Sequence, residues 1–578
     1  MLEAAGRLNQ HIRGGNMGTQ YALPIEMLQK WATEKPNSVY LRQPVNRQFI
    51  EFTWKECYDT VRRMAAALQS MGFQPGDRIG ILSKNCAEWF LADFAIQAAG
   101  YISTPIYYTA SADTISYIID HADIKAVFMG KLDDFAPSEQ GIRDGVMKIA
   151  LPYKTIDCEY SWTELLKQNE PLPEDQLAKP DLDELFSIVY TSGSTGNPKG
   201  VEVSWRNIAY GAWSPTQSLE LGREERLISY LPLAHITERA LIEHVSLYAG
   251  VVVSFVESLD TFAEDLRAAE VTMFISVPRL WMKFQSGILA KVPQKKLDRL
   301  LSIPILSWYV KRKIRAQLGL TNAKLIGSGS APISKAVLEW YQKLGINITE
   351  GWGMTETAGL ASSHFPFRAD KVGTIGTPLA GLEIKITDEG ELLIRGDSVT
   401  KGYYKDPEMT AETIEEGGWF HTGDKVEQDA DGFLRITGRV KEIFKSSKGK
   451  YIAPVPIEAM LFDNTYVEQA CVMGSELAQP VAVVFLSSEI THGLSREEVR
   501  TSLEETYHSI NRSVESHLKL SSIIVANDMW TIENGYLTPT MKIKRTRLED
   551  RYQDVVHSMP DRPVVWEDEC GAEATAPA

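Results

Sequence analysis

Cysteine is scarce in this chain of 578 residues: only Cys57, Cys86, Cys158, Cys471 and Cys570 occur. Their number is odd and no C-x-x-C pair is present, so neither a disulfide framework nor a thiolate zinc site is indicated, and a reducing cytoplasm fits. Positive charge is also in deficit. Sixty Lys and Arg face 76 Asp and Glu, and the net −16 repels polyanions and argues against broad nucleic-acid binding. Long hydrophobic runs are missing too: the most apolar stretch, Leu241 to Val256, is broken by Glu243 and His244, and Met1 to Gly18 has no apolar core of signal-peptide length. No membrane span or leader is expected. Nor are there H-E-x-x-H, G-x-S-x-G or G-x-G-x-x-G signatures, which removes zincin, serine-hydrolase and nicotinamide-dehydrogenase chemistry.

What remains is an ordinary globular composition, long enough for about three or four domains with a large core and a cleft between them. From Trp54 to Gln97 the apolar residues recur at helical spacing, broken by the turn Gln74 to Asp77 and a strand at Arg78 to Leu82. Further buried strands are expected at Ile124 to Met129, Leu185 to Tyr190, Gly250 to Val256, Thr272 to Ser276 and Lys324 to Gly327, with helices such as Ala112 to His121 and Ile333 to Leu344 between some of them. That alternation predicts an α/β body of two stacked layers without solenoid repeats. After about Thr374 short alternating strands with tight turns, such as Glu383 to Thr387, Glu391 to Arg395 and Phe433 to Thr437, predict a β-rich subdomain. Beyond Lys441, strands at Gln469 to Met473 and Val481 to Phe485 and a long helix from Arg496 to His517 predict a separate α+β domain. The acidic, Ala-rich stretch Glu567 to Ala578 reads as a disordered tail.

The segment Tyr190-Thr-Ser-Gly-Ser-Thr-Gly-Asn-Pro-Lys199-Gly200 follows a buried strand and carries the chemistry of a polyphosphate cradle. Glycines turn amides inward, the hydroxyls of Thr191, Ser192, Ser194 and Thr195 donate, and Lys199 adds positive charge. It is not a Walker loop, because Asn197 and Pro198 separate Gly196 from Lys199 and Gly200 replaces the magnesium-ligating hydroxyl.

With this loop the sequence resembles the adenylate-forming (AMP-binding) superfamily. The resemblance continues in family order through Leu231-Pro-Leu-Ala-His235, Gly327-Ser-Gly-Ser-Ala-Pro332, Glu350-Gly-Trp-Gly-Met-Thr355-Glu356-Thr357, Gly418-Trp-Phe-His-Thr-Gly-Asp424, Ile436-Thr-Gly-Arg439 and Leu537-Thr-Pro-Thr-Met-Lys542, covering about residues 50 to 545. It implies activation of a carboxylate with ATP to an acyl adenylate and pyrophosphate, then acyl transfer to a thiol. The implied fold is a large N-terminal domain, 1–439, a hinge at 440–442 and a small mobile C-terminal domain, 443–566, with 567–578 as the tail.

By the same resemblance Thr191, Ser192, Gly193, Ser194, Thr195, Gly196 and Lys199 hold the β- and γ-phosphates, Thr355 contacts phosphate and Glu356 ligates Mg2+. Gly329, Ser330 and Ala331 face Trp352 and Gly353 across the adenine, and Asp424 takes the ribose hydroxyls with Ile436 and Arg439 nearby. Lys542 serves the adenylation step, Lys441 the hinge, and Gly449 the loop beside the thiol tunnel. His235 borders the acyl carboxylate, and Gly327, Gly329, Val277 and Trp281 line the acyl tunnel. Several of these have an ordinary alternative: Trp352 as core packing, Glu356 as a helix-start carboxylate, Arg439 as a solvated charge, Lys542 in a basic strand of which Lys544 and Arg545 are solvated members, His235 as a satisfied interior histidine, and Gly449 as a turn residue.

Within the superfamily the sequence is most similar to the bacterial long-chain and bubblegum-type fatty acyl-CoA synthetases, through Gly417 to Lys445, Leu233 to Arg239 and Val277 to Trp281; Val440 departs from that branch's usual basic residue. The implied substrates are a fatty acid, ATP with Mg2+, and coenzyme A. Two other functions compete with this one: an acyl-AMP ligase or transferase loading a carrier-protein thiol, and a nonenzymatic acyl- or nucleotide-binding relative. No carrier domain is evident, and a pure binder has no need of Lys199, Glu356, Asp424 and Lys542 together. A cytoplasmic location with peripheral contact at the inner face of a membrane is consistent with a long-chain acid, although no basic amphipathic segment announces one.

Overall fold

The structure is a computed structural model and describes residues 21–191, 197–475, 477–538 and 541–570. The N-terminal body is built on two mixed sheets. In the first, seven strands run in the order Tyr160–Ser161, Met147–Ala150, Ile124–Met129, Arg78–Leu82, Ile102–Ile106, Leu185–Thr191, Lys199–Ser204, all parallel except the last pair. Strands buried on both faces require near-continuous apolar runs, and Ile124–Met129 has five of six residues buried. Helix Ala87–Ala98 lies against this sheet and helix Trp54–Ser70 packs on that helix; Trp54–Ser70 starts with a capping box, Thr53 accepting from the Glu56 amide.

The second sheet orders Met273–Ser276, Leu325–Ser328 and Thr349–Met354 in parallel, then turns antiparallel through Gly359–Ser363 and Thr377–Pro378. Beside it four strands, Arg226–Ser229, Val252–Phe255, Val39–Val45 and Gln48–Thr53, form a further layer whose hairpin Val39–Thr53 the sequence reading missed. Pro44 and three exposed residues in Gln48–Thr53 hide its alternation.

The β-rich subdomain is a four-stranded antiparallel meander, Glu383–Ile386, Glu391–Arg395, Phe420–Gln428 and Leu434–Arg439, as expected. After the turn Val440–Glu442 comes an α+β unit on the sheet Val467–Met473, Val481–Leu486, Ile523–Val525, Val564–Trp566, with its own core around Ile457, Leu461, Val484 and Leu503. One correction falls at its end. Glu567–Glu569 is a short helix rather than part of a tail, because Glu567 pairs with Arg551 and Glu569 accepts from Arg500 at 2.7 Å. Residues 571–578 lie outside the described residues.

Candidate active site

The site residues gather where the parallel strands of the second sheet end. Gly329, Ser330 and Ala331 follow Leu325–Ser328 in a loop pinned by the Gly329 amide donating to Ser276 O at 3.1 Å. Ser330 takes a left-handed φ of 64°, and its hydroxyl lies 3.3 Å from Thr237 Oγ1. Across from it, strand Thr349–Met354 carries Trp352 and Gly353 into the turn Thr355–Thr357. A side chain at Gly353 is impossible without moving the backbone, since a Cβ there would stand 1.7 Å from Gly359 O. These walls border an open cleft lined by Gly327, Gly329, Ser330, Glu350, Trp352 and Gly353 with Leu241, Ile275 and Leu325.

Trp352 combines both readings made from the sequence. Its ring is buried against Ile375, Phe420 and Val426, while one side borders the cleft and its Nε1 donates to Asp424 Oδ2 at 2.8 Å. Asp424 is buried, and its Oδ1 accepts from Arg439 Nε at 2.7 Å. Arg439 is therefore not a freely solvated charge: burial opposes its ionisation, but Asp424, with Glu442 and Glu356, outweighs burial and raises its pKa. The pairing follows from register, Asp424 standing opposite Arg439 on adjacent strands. Ile436, two strand positions away from Gly438, sits half-buried on the same strand opposite Val426.

Thr355 is buried and Glu356 half-buried in the turn. Glu356 Oε1 accepts from the Tyr403 hydroxyl at 2.8 Å, a partner the sequence reading did not identify. Tyr403 is held in turn by the phosphate-loop hairpin, because Val201 bridges Tyr403, Tyr404 N donates to Gly200 O and Glu202 N to Gly402 O. A single segment thus ties the hairpin that carries Thr191 and Lys199, paired opposite one another, to the carboxylate of Glu356. Ser192, Gly193, Ser194, Thr195 and Gly196 lie outside the described residues. The chemistry of Glu356 fits Mg2+, a hard cation served by one carboxylate with phosphate and water oxygens: Oε1 is fixed by Tyr403, and among the described residues no hydrogen bond reaches Oε2.

Lys542 enters from the C-terminal unit on a tight loop in which its amide donates to Thr538 Oγ1 at 3.0 Å and Met541 adopts φ 63°, the left-handed conformation that glycine tolerates best. The lysine is exposed to solvent, yet surrounding protein and then Arg439 lower its pKa, with Glu356, Asp424 and Glu442 opposing. His235 lies close enough for burial, followed by the Lys542 charge, to push its pKa down to about 4. Its Nδ1 accepts from Thr237 N at 3.2 Å, so the neutral ring carries its proton on Nε2. Lys542, Arg439, Asp424, Glu356 and His235 form one electrostatic cluster.

Beneath His235, Glu238 is buried and accepts from Tyr230 N at 2.8 Å and from Asn85 Nδ2 at 3.4 Å. Burial pushes its pKa up to about 8. Glu238 was not singled out from the sequence, since a Glu in a helical stretch reads as surface.

Other expectations fall outside the cluster or fail. Lys441 is exposed in the turn Val440–Glu442, and Gly449 is exposed at the tip of the hairpin Phe444–Ile452 with φ 74°. Trp281 does not line the cleft: it is fully buried against Phe274, Phe284 and Tyr341. Arg545 is not a solvated charge either. Its Nη1 donates to Glu458 Oε1 and Val472 O, each at 2.7 Å, and anchors the helix Arg545–Ser558 that follows the Lys542 loop.

A mixed-sheet body, a β-meander and a C-terminal α+β unit that delivers a lysine to a cleft make the architecture of the adenylate-forming enzymes. The chain belongs to the AMP-binding enzyme family, which it matches over residues 28–404, with the AMP-binding enzyme C-terminal domain over residues 442–562. Among similar proteins are fatty acyl-CoA synthetase A of Dictyostelium discoideum, 31% identical with 88% of this chain and 85% of that protein covered, and a long-chain-fatty-acid–CoA ligase of Mycobacterium bovis, 28% identical over 91% and 95%. In fold the chain is similar to the adenylation domain of a carboxylate reductase from Mycobacterium chelonae, TM-score 0.79 at 21% identity over 96% and 92% of the two chains, and to o-succinylbenzoate CoA synthetase of Bacillus subtilis, TM-score 0.70 at 22% identity over 92% and 99%.

Proposed function

We propose that this protein activates a long-chain fatty acid with ATP and transfers the acyl group to coenzyme A, releasing AMP and pyrophosphate. The observation that carries the reading is the convergence of Lys542 and Arg439, in a chain of net −16, on Asp424, Glu356 and neutral His235. In the first step a carboxylate oxygen of the acid attacks the α-phosphorus, the α–β P–O bond breaks and its electron pair leaves on pyrophosphate. Both reactants are anions, so the site has to offset repulsion rather than create a base. Lys542 spans the carboxylate and the α-phosphate, and His235 Nε2–H donates to the carboxylate. Asp424 has lone pairs left beyond those used by Trp352 and Arg439 and accepts the ribose hydroxyls. Thr191, Lys199 and Thr355 hold phosphate, and Glu356 holds Mg2+, which when bound neutralises charge on the phosphates. Adenine lies between Trp352 and the Gly329 to Ala331 loop.

In the second step the coenzyme A thiol attacks the acyl carbon, loses its proton to solvent and expels AMP. Lys542 has no task there, and the C-terminal domain, about 443–566, turns at Lys441 so that Gly449 replaces it beside the thiol path. The names of the relatives favour the long-chain acid and coenzyme A over a carrier-protein thiol. No helix among the described residues is long and apolar enough to cross a membrane, and a cytoplasmic location with peripheral membrane contact belongs to the same proposal. A panel of carboxylic acids with ATP, Mg2+ and coenzyme A, scored together for pyrophosphate, AMP and thioester, tests it. ADP in place of AMP, or pyrophosphate release independent of the acid, contradicts it; acyl transfer to a carrier protein alone reassigns the acceptor.

A further inference from the structure

Between Met273–Ser276 and Leu325–Ser328, two strands whose residues Ile275 and Leu325 line the cleft, the chain makes a helical excursion through Pro278–Lys291, Gln294–Leu301 and Pro304–Gln317. Helix Pro304–Gln317 packs inward with Ile314 and Val310 but turns Ile305, Trp308 and Tyr309 to solvent. Spacings of three and four residues put these on one face with Arg312, whose guanidinium lies 5.4 Å from the Trp308 ring centroid. Ile305 is 81% exposed and Trp308 62%, while Ile303 and Leu306 extend the patch to its start. Protruding, contiguous apolar side chains of this kind mark an interaction surface.

The surroundings identify the partner. From Lys291 to Arg315 the sequence has eight basic residues and one acidic, in a chain whose net charge is −16. Arg315 is used internally, donating to Gly345 O and Ala323 O. Among the described residues Lys295, Lys296, Arg299, Lys311, Arg312 and Lys313 form no ion pair, so their charge is available. Trp and Tyr favour the headgroup level of a bilayer, aliphatic side chains enter below it, and each nearby Lys or Arg adds attraction to an anionic surface.

We propose that this face of Pro304–Gln317, with its basic rim, docks on an anionic lipid bilayer. Exposed side chains carried on a helix suit a fluid interface, whereas a protein partner would have to supply a fitted pocket. The proposal deepens the peripheral membrane contact proposed above by naming its surface, and it does not rest on the reaction, because vesicle binding needs neither ATP nor acid.

The full chain is to be floated with vesicles of phosphatidylcholine alone and with vesicles containing phosphatidylglycerol, at low and high salt, for the natural sequence and the double variant Ile305→Ser/Trp308→Ser. Binding is expected only with phosphatidylglycerol, weakening with salt and falling about ten-fold in the variant. The substituted side chains are exposed, so the thermal unfolding midpoint should not move. Should it move, quenching by lipids brominated on the acyl chain still decides: Trp308→Phe must remove the quenched part of the tryptophan emission. Equal flotation of the variant, no flotation, or quenching unchanged by Trp308→Phe each overturns the proposal; a fall in oligomer mass in the variant without loss of flotation assigns the face to a second copy and overturns it too.

Discussion

Lys542 is the residue on which the proposed reaction turns most sharply. Removing its ammonium by Lys542→Ala should slow acid-dependent ATP–pyrophosphate exchange by about 10²–10³-fold, the cost typical of losing one preorganised donor to developing charge. Thioester formation from supplied acyl adenylate should hardly change, and equal losses in the two assays would contradict its assigned role. Tyr403 acts at one remove, through its 2.8 Å hydrogen bond to Glu356. Tyr403→Phe should raise the Mg2+ concentration needed for half-maximal exchange by about ten-fold, as for other residues that orient a metal ligand, with a smaller change at saturating Mg2+. A profile unchanged in Mg2+ would make the tyrosine structural only. The motifs made Lys542 and Glu356 visible in the sequence, whereas Tyr403 gave no comparable signal: its hydroxyl reaches Glu356 from 47 residues away, and only backbone pairing with Val201 brings it there.

At the level of elements, the segment Leu231 to His244 joins cleft and core. His235 caps the turn Ile236–Glu238, and the chain then widens into a π-helical turn, Arg239–His244, in which Arg239, Glu243 and His244 are all fully buried. Arg239 pairs with buried Asp93 at 2.6 Å. The apolar stretch that the sequence shows to be interrupted is thus a core element in which one charge pair is buried and burial shifts Glu243 and His244 toward their neutral forms. Glu238 gives this element a measurable pH dependence. Its pKa rises from 4.5 to about 8 on folding, so the native state binds its proton more tightly than the unfolded chain does. That contribution is fully present below about pH 4.5 and is lost as pH rises through about 8. Glu238→Gln mimics the protonated group, and in urea titrations from pH 5 to 8.5 the natural protein should lose stability relative to the variant by on the order of a few kcal/mol. Parallel curves for the two proteins would show that Glu238 keeps one charge state on folding.

At the scale of the whole molecule, the C-terminal unit is seated so that Lys542 faces the cleft. Arg279 donates to Glu468 at 2.6 Å and Ser334 to Asp463, both pairs joining the two parts of the chain. Arg279 and Glu468 are partly exposed, so screening limits their pair to about 0.2–1 kcal/mol. Arg279→Glu should therefore slow pyrophosphate exchange only about two- to five-fold, an effect that fades at high salt, while leaving the thioester assay unchanged or faster. A uniform loss in both assays would mean that the contact stabilises the fold and not this arrangement. The three-part architecture was legible beforehand because each part has its own period: buried parallel strands such as Arg78–Leu82 and Ile124–Met129, short antiparallel strands such as Glu391–Arg395, and the helix Arg496–Ser513 beyond the turn.

The sequence alone determined the family, the order of the motifs and the residue types of the site, because glycines at tight turns and charged groups on phosphate chemistry leave fixed spacings in the chain. It also carried the strand and helix pattern, since burial imposes periods of two and 3.6 residues locally. Tertiary structure decided which of those residues share a field. Lys542 meets Glu356, Asp424 and His235 across more than a hundred residues of chain in each case, and Arg545, read as solvated, is buried on Glu458 and Val472. It also decided which apolar side chains face outward: Ile305 and Trp308 differ from buried Ile314 and Trp281 not in hydrophobicity but in what packs over them. A Coulomb interaction and a buried surface both depend on distance in space, and distance along the chain does not encode it.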